Sequence, residues 1–254
     1  MPPRMSSHWD FYFFVVDGKP CSTMLDLGLI TLAPVATRPW LLCVRIPLLK
    51  PRSDGLTDNA EAEELGKLEE TLQRAISVGC DAQFVGRMTW NGTRDLFFYA
   101  RSTEGFGQAM QTALGKQPSR RIVTQVREDK EWLHYLEVLF PGPVEQRWMA
   151  DRRVVEELKK AGDRVEQPRT IDHTASFPSE RQAEAFAGEC RTLRFEVQVR
   201  ATDDGSAWAV QANRKDVAEL IHIHEIVANL ETLADECGGK YEGWGCPVVR
   251  DADA

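Results

Sequence analysis

No stretch of this sequence approaches the roughly 18 consecutive apolar residues needed to span a bilayer. Basic residues are also in the minority, with 31 Lys and Arg against 39 Asp and Glu for a formal net charge of -8. The first shortage excludes a membrane-spanning helix. The second argues against direct nucleic-acid binding, because phosphate contacts need clustered Lys and Arg. The opening residues "MPPRMSSHWDFYFFVVDGKP" carry no separate apolar segment ending in a small-residue cleavage site. A cytoplasmic protein is expected. Six cysteines, at 21, 43, 80, 190, 237 and 246, form no C-x-x-C pair. Cys43 in "WLLCVRI" and Cys190 on an apolar helix face read as buried thiols, so neither a disulfide nor a zinc site is expected.

Catalytic signatures are missing as well. The sequence has no G-x-x-x-x-G-K-S/T, no G-x-G-x-x-G after a strand, no G-x-S-x-G and no H-E-x-x-H. His222 and His224, two apart on a predicted helix, point about 200° apart and cannot share a metal. His222 is expected to face solvent and His224 to flank the apolar face. No catalytic residue, cofactor or metal is expected.

What is present is an ordinary globular composition, 43% apolar and 28% charged, over 254 residues, enough for two domains. Asp17-Gly18, Asn91-Gly92 and Asp204-Gly205 each separate apolar or aromatic runs and predict three hairpins. Leu65, Leu68, Leu72, Ala75 and Ile76 predict an amphipathic helix over 60 to 78. Ser179 and Gln182 form a capping box ahead of Ala183, Phe186, Ala187 and Cys190. A longer helix over 216 to 237, with Leu220, Ile223, Val227, Leu230 and Ala234 inward, is expected to stop at Gly238.

In order, both halves read β-α-β-β-α-β, the ferredoxin-like arrangement. The expected fold class is therefore α+β, two α/β sandwich domains with antiparallel sheets. Between the halves lie a helix "DKEWLHYLEVL", the break "FPGPVEQ" and a helix "RRVVEELKKAG". The domains are placed at 1–145, with an extra N-terminal hairpin, and 146–254.

Three constellations merit testing against a structure. Asp172 and His173 adjoin in a predicted strand, so alternation puts Ile171, His173 and Ala175 on one face and Asp172 and Thr174 on the other. They cannot form the orienting pair of a triad, and a partly buried, hydrogen-bonded histidine is expected. Arg87, Arg94, Asp95 and Tyr99 collect around one hairpin, where an anion-binding sensor or an enzyme site is the alternative to plain sheet stabilisation. In "KYEGWGCPV", regular alternation puts Lys240, Glu242, Trp244 and Cys246 on one face and Tyr241, Gly243 and Gly245 on the other. Glycines at i and i+2 strip a patch of sheet bare. Either a helix of the same domain fills that gap, or the patch is a docking edge.

The stretch "RRVVEELKKAGDRVEQPRTIDHTASFPSERQAEAF", followed by "LADECGGKYEGWGC", resembles the bacterial regulator of ribonuclease E activity B (RraB) family over roughly residues 147 to 249. "VVEELKKAG", Ile171-Asp172-His173 and Tyr241-Glu242-Gly243-Trp244-Gly245 carry the resemblance. It implies a ferredoxin-like, non-enzymatic interaction protein whose partner is an endoribonuclease. The matching positions for partner binding are Asp172, His173, Tyr241, Gly243 and Trp244. One departure is that the family's long acidic tail after the Trp-Gly motif is replaced here by "RDADA". Residues 8 to 141, through "DGKPCSTMLDLGL", "APVATRPWL", "VGRMTWNGTRDLFFYA" and "DKEWLHY", resemble a second bacterial family, one without an assigned function.

Overall fold

In a computed structural model of the chain, which describes residues 8–115 and 120–250, contacts divide the molecule into two compact units, Met1–Glu145 and Gln146–Ala254. The opening residues 1–7 and the tail 251–254 lie outside the described residues.

The first unit contains β1 (Trp9–Val16), β2 (Lys19–Asp26), β3 (Trp40–Pro47), α1 (Asn59–Gly79), β4 (Ala82–Trp90), β5 (Thr93–Ala100), α2 (Phe106–Leu114) and β6 (Val123–Glu128). They build one six-stranded sheet in the order β1-β2-β4-β5-β3-β6, all neighbours antiparallel. From β3 onward this is the ferredoxin-like order, and the β1–β2 hairpin extends the sheet beside β4. The turns form where dipeptides with left-handed backbone stand: Asp17, Gly18, Asn91 and Gly92 all have positive φ.

Helix α1 starts where Asp58 accepts from the Ala60 amide. With α2 it covers one sheet face, over Leu42, Val44, Ile46, Leu96 and Phe98, all fully buried. Each such side chain contributes about 1.5–3 kcal/mol of burial free energy. Part of the other face is covered by residues 27–39 and 129–140. There Trp132 stacks on Tyr99 at 4.0 Å, the Tyr12 hydroxyl donates to the Leu139 carbonyl, and the Tyr135 hydroxyl donates to the Asp26 carbonyl. Tyr12, Trp132 and Tyr135 are buried, and Trp9 lies at the rim against Phe84.

Two expectations about this region need correction. The run "DKEWLHYLEVL" forms only a π-helical turn, His134–Leu139. The following helix does not wait for Arg152: α3 spans Pro143–Lys160. Proline breaks a helix interior but suits the first turn, where no intrahelical partner for its missing N–H is needed.

Helix α3 leads into the second unit, with β7 (Arg169–Phe177), α4 (Glu180–Thr192), β8 (Glu196–Ala201), β9 (Trp208–Asp216), α5 (Leu220–Glu236) and β10 (Lys240–Gly245). The sheet order β10-β7-β9-β8, all antiparallel, is again ferredoxin-like. Ser179 caps α4 as its spacing implied. Helix α5 begins later than the apolar periodicity suggested, because β9 continues to Asp216, which still pairs with Arg169 across the ladder. Gly238 ends α5 with φ 74°. At the next residue a Cβ would stand 2.2 Å from the Phe177 ring, so only glycine fits at 239. Ile171, Ala175, Phe177, Val210 and Ala212 pack beneath the helices with Phe186, Ile223, Val227 and Leu230.

Cys190 is buried, as its helix face implied, whereas Cys43 is only partly so. Among the described residues no helix is long and apolar enough to cross a membrane.

Candidate functional site

Strand β10 borders the second sheet, and its register is not regular. Lys240 and Tyr241 oppose Ser176 and Ala175 on β7, but Gly243 opposes Thr174, which places Glu242 as an extra residue in a β-bulge. One inserted residue reverses the side-chain alternation beyond it. Tyr241 and Trp244 therefore share the helix-covered face, opposite Ala175 and His173, instead of lying on opposite faces as strict alternation predicted. Gly243 and Gly245 lie on the other face, beside Thr174 and Asp172. Gly243 has φ 148°, a conformation that L side chains rarely adopt.

That other face is not covered by the unit's helices. Thr170, Thr174, Glu196, Gln198, Arg200 and Lys215 are exposed on it, and Asp172 is half-buried. Among the described residues no atom lies within 4 Å of where a Cβ would stand on Gly243 or Gly245. The alternative that a helix of the same domain fills the gap is thereby overturned. Beside the gap, Glu242 accepts from Ser176 Oγ at 2.7 Å and from Lys240 Nζ at 2.9 Å. These bonds hold its carboxyl below the usual value.

The buried side of β10 carries a polar network. Trp244 Nε1 donates to Asp151 Oδ1 at 2.9 Å, and His224 Nδ1 lies 2.8 Å from Asp151 Oδ2. Arg147 pairs with Glu231 and places its guanidinium 5.3 Å from the centre of the Tyr241 ring. His173 Nδ1 lies 2.7 Å from the Tyr241 hydroxyl, and its Nε2 is buried without a partner. Side chains from α3, α5, β7 and β10 are thus tied together under the bulge. Burial of Asp151 raises its carboxyl above the ordinary value, against the two donors that lower it.

Of the five positions singled out from the sequence, Asp172 and Gly243 face the open side. His173 and Tyr241 are buried at 1% and 2% exposure, so they can position β10 but cannot touch a partner. Trp244 is half-buried and serves as a tie to Asp151. Asp151, Arg147 and Glu231 were missed, while Gly245, read with Gly243 as a bare patch of the strand, lies on the open side beside Asp172. The signal for Asp151 was a carboxylate within the buried stripe of α3, alongside Met149, Val155 and Leu158.

Burial, with the nearby Arg214 charge, pushes the His173 imidazole down to about 4. The unfolded chain, with its histidine near 6.5, then binds more protons than the folded one between pH 6.5 and about 4. Stability of the second unit should fall by about 2 kcal/mol between pH 7 and pH 5. His173→Gln, followed by urea unfolding at both values, should remove most of that dependence.

The first-unit constellation does not assemble. Alternation on β4 and β5 turns Arg87 and Arg94 toward α1, where both pair with buried Glu69 at 2.6 and 3.1 Å. Asp95 and Tyr99 lie on the opposite face, bound to Arg45 and Asp129. No common pocket receives the four groups, so an anion or substrate site built from them is not formed. His222 is half-exposed and pairs with Asp216. Among the described residues no group of three His, Cys, Asp or Glu side chains could hold a metal.

The chain is thus an α+β protein of two ferredoxin-like units, the second with an open sheet face. It belongs to the family of unknown function DUF695, whose model matches residues 7–140. Residues 148–246 match the model of the family "Regulator of ribonuclease activity B". No curated protein matches the sequence. Among solved structures, an unknown protein from Galdieria sulphuraria has a TM-score of 0.24 at 10% identity, covering 83% of this chain and 99% of that one. A putative glycine cleavage system transcriptional repressor has a TM-score of 0.25 at 9% identity, with 82% and 98% covered. Likenesses this weak say nothing about function.

Proposed function

We propose that this protein is a non-catalytic bacterial regulator, acting in the cytoplasm, whose second unit binds an endoribonuclease and changes its cleavage of RNA. The observation that carries the reading is the bare stretch of sheet at Gly243 and Gly245, beside Asp172 and Thr174 on the open face. The partner's backbone or side chains can approach the sheet there without displacing any atom of this unit. The match of residues 148–246 to the ribonuclease-regulator family supports a ribonuclease as the class of partner. Asp172 and Gly243 would make contact, while His173, Tyr241 and Trp244 would fix the shape of β10. The acidic balance, net -8, suits a protein that competes with RNA for a basic nuclease surface without binding RNA itself.

The test uses purified ribonuclease E and a short single-stranded RNA substrate. The full chain should form a complex with the nuclease by size-exclusion chromatography and alter the cleavage rate in proportion to complex formed, while leaving free RNA unshifted on a native gel. Unchanged cleavage and no complex at tenfold excess of the chain would sink the proposal.

A further inference from the structure

Strand β8 is the border of the second sheet opposite β10, and only β9 pairs with it. Its ladder has no bulge and its sequence neither proline nor lysine, so three devices that commonly keep an edge strand from pairing are missing. At the hairpin end Thr202 donates its amide to the Ala207 carbonyl at 2.9 Å, which fixes the direction of the backbone groups along the strand. Glu196, Gln198 and Arg200 turn theirs toward β9. Val197, Val199 and Ala201 turn theirs outward, where no hydrogen bond is made to them among the described residues.

The side chains define what can pair there. Glu196, Gln198 and Arg200 are exposed on the open face, while Val197 and Val199 lie against the core on the helix side. Across the ladder Glu196 and Arg200 face neutral Asn213 and Ala209, and neither has an ion pair among the described residues. The order Glu196, Gln198, Arg200 is its own complement when reversed. A second β8, laid antiparallel about a two-fold axis through Gln198, sets Glu196 of each protomer opposite Arg200 of the other, Gln198 opposite Gln198, and Val197 opposite Val199. The same register brings the outward backbone groups of Val197 and Val199 into hydrogen-bonded pairs, so backbone and side chains ask for one alignment. Moving the second strand by one residue puts unlike sheet faces together, and moving it by two removes both charge pairs. Moving it by four sets Glu196 or Arg200 against its own copy. Strand β6, an edge of the first sheet, lacks this property: Arg127 and Glu128 are adjacent, face opposite ways, and oppose one another in no such register.

We infer that the chain forms a two-fold symmetric dimer through β8, which joins two four-stranded sheets into one antiparallel sheet. Each Val197–Val199 pair exchanges two backbone hydrogen bonds, and the Glu196–Arg200 pairs select the register. Only a narrow strip is buried, so the association is weak, with a Kd on the order of 10–100 µM. Both β10 strands stay at the outer borders of the joined sheet, and the dimer presents the bare patch at Gly243 and Gly245 twice on one face. The dimer stands whether or not a ribonuclease docks there.

The full chain is followed by sedimentation velocity from about 1 to about 500 µM. The weight-average mass should rise from that of the monomer toward twice that value. Glu196→Arg and Arg200→Glu, both exposed changes that should leave the melting temperature unaltered, should each raise the Kd by about tenfold or more, because like charges then oppose one another. Mixing the two variants should restore association to near the wild-type level, since each charge pair in the mixed dimer is again of opposite sign. Gln198→Cys puts two thiols at the axis, where the facing Cα atoms of such a pair are about 4.5 Å apart. Mild oxidation should give a covalent dimer of that variant and none of the wild type, whose six cysteines lie elsewhere. The proposal is overturned if the wild type stays monomeric throughout, if either charge variant associates as the wild type does, or if their mixture stays monomeric. A Gln198→Cys protein that dimerises without cross-linking would equally overturn it, by placing the contact on another surface.

Discussion

Gly245→Val should weaken capture of the ribonuclease on the order of 100-fold while leaving the melting temperature of the second unit within about 2 °C of the wild type. The position has no positive φ, valine is well tolerated in strands, and nothing lies within 4 Å of the new Cβ, so the folded unit has no reason to lose stability. A docked partner occupying the same space would meet two methyl groups, and an interface core tolerates such an intrusion poorly. Gly243→Val is the contrasting variant. Its φ of 148° is strained for any residue with a Cβ, so it should cost about 1–3 kcal/mol of stability in addition to binding. Pull-down and thermal melting on the two variants separate the effects. A Gly245→Val protein that binds the nuclease as tightly as the wild type would remove the open face as the docking surface.

The sequence displayed the fold well because its punctuation is local. Asp17-Gly18 and Asn91-Gly92 sit in turns that demand their left-handed backbone, and Ser179 caps α4 from its own neighbourhood. Both sheet orders follow from the element order once each helix is taken as a right-handed crossover between parallel strands that leaves room for a third strand between them. The candidate site was harder to see. An interior glycine such as Gly243 often marks a bulge, but nothing in "KYEGWG" says which residue is extra, and the bulge at Glu242 reverses which face Trp244 takes. The apolar periodicity places Asp216 at the start of a helix, yet its pairing with Arg169 keeps it in the sheet. The separation of Arg94 from Asp95 was legible in principle, since adjacent strand residues face opposite ways. Closeness along the hairpin obscured it, and the true partner of both arginines, Glu69, lies on a helix remote in sequence. Asp151 likewise reaches Trp244 across 93 residues, a distance no local pattern spans.

That carboxylate carries the other large effect. Asp151→Ala should destabilise the second unit by about 3–5 kcal/mol, because a nearly fully buried acceptor of two hydrogen bonds is lost at once. Trp244 Nε1–H would be left without an acceptor, and the His224 ring would lose the group that orients it. For a unit of this size the change corresponds to a fall in melting temperature of more than about 10 °C. Asp151→Asn should be far milder, about 1–2 kcal/mol. Its carbonyl oxygen can still accept from Trp244 while its amide donates to a neutral His224 ring. The two variants also separate a charge requirement from a hydrogen-bond requirement. If Asn and Ala destabilise equally, the negative charge itself is what α3 contributes to β10. If Asn restores both the melt and nuclease capture, the carboxylate acts purely as an acceptor that holds Trp244 and the bulge in place. Because β10 presents Gly243 and Gly245 from its other face, Asp151→Ala should lose binding even at temperatures where the rest of the unit stays folded. Amide hydrogen exchange should show β10 opening before β7 and β9. Uniform exchange across all three strands would mean that the network stabilises the unit as a whole without specifically shaping its edge.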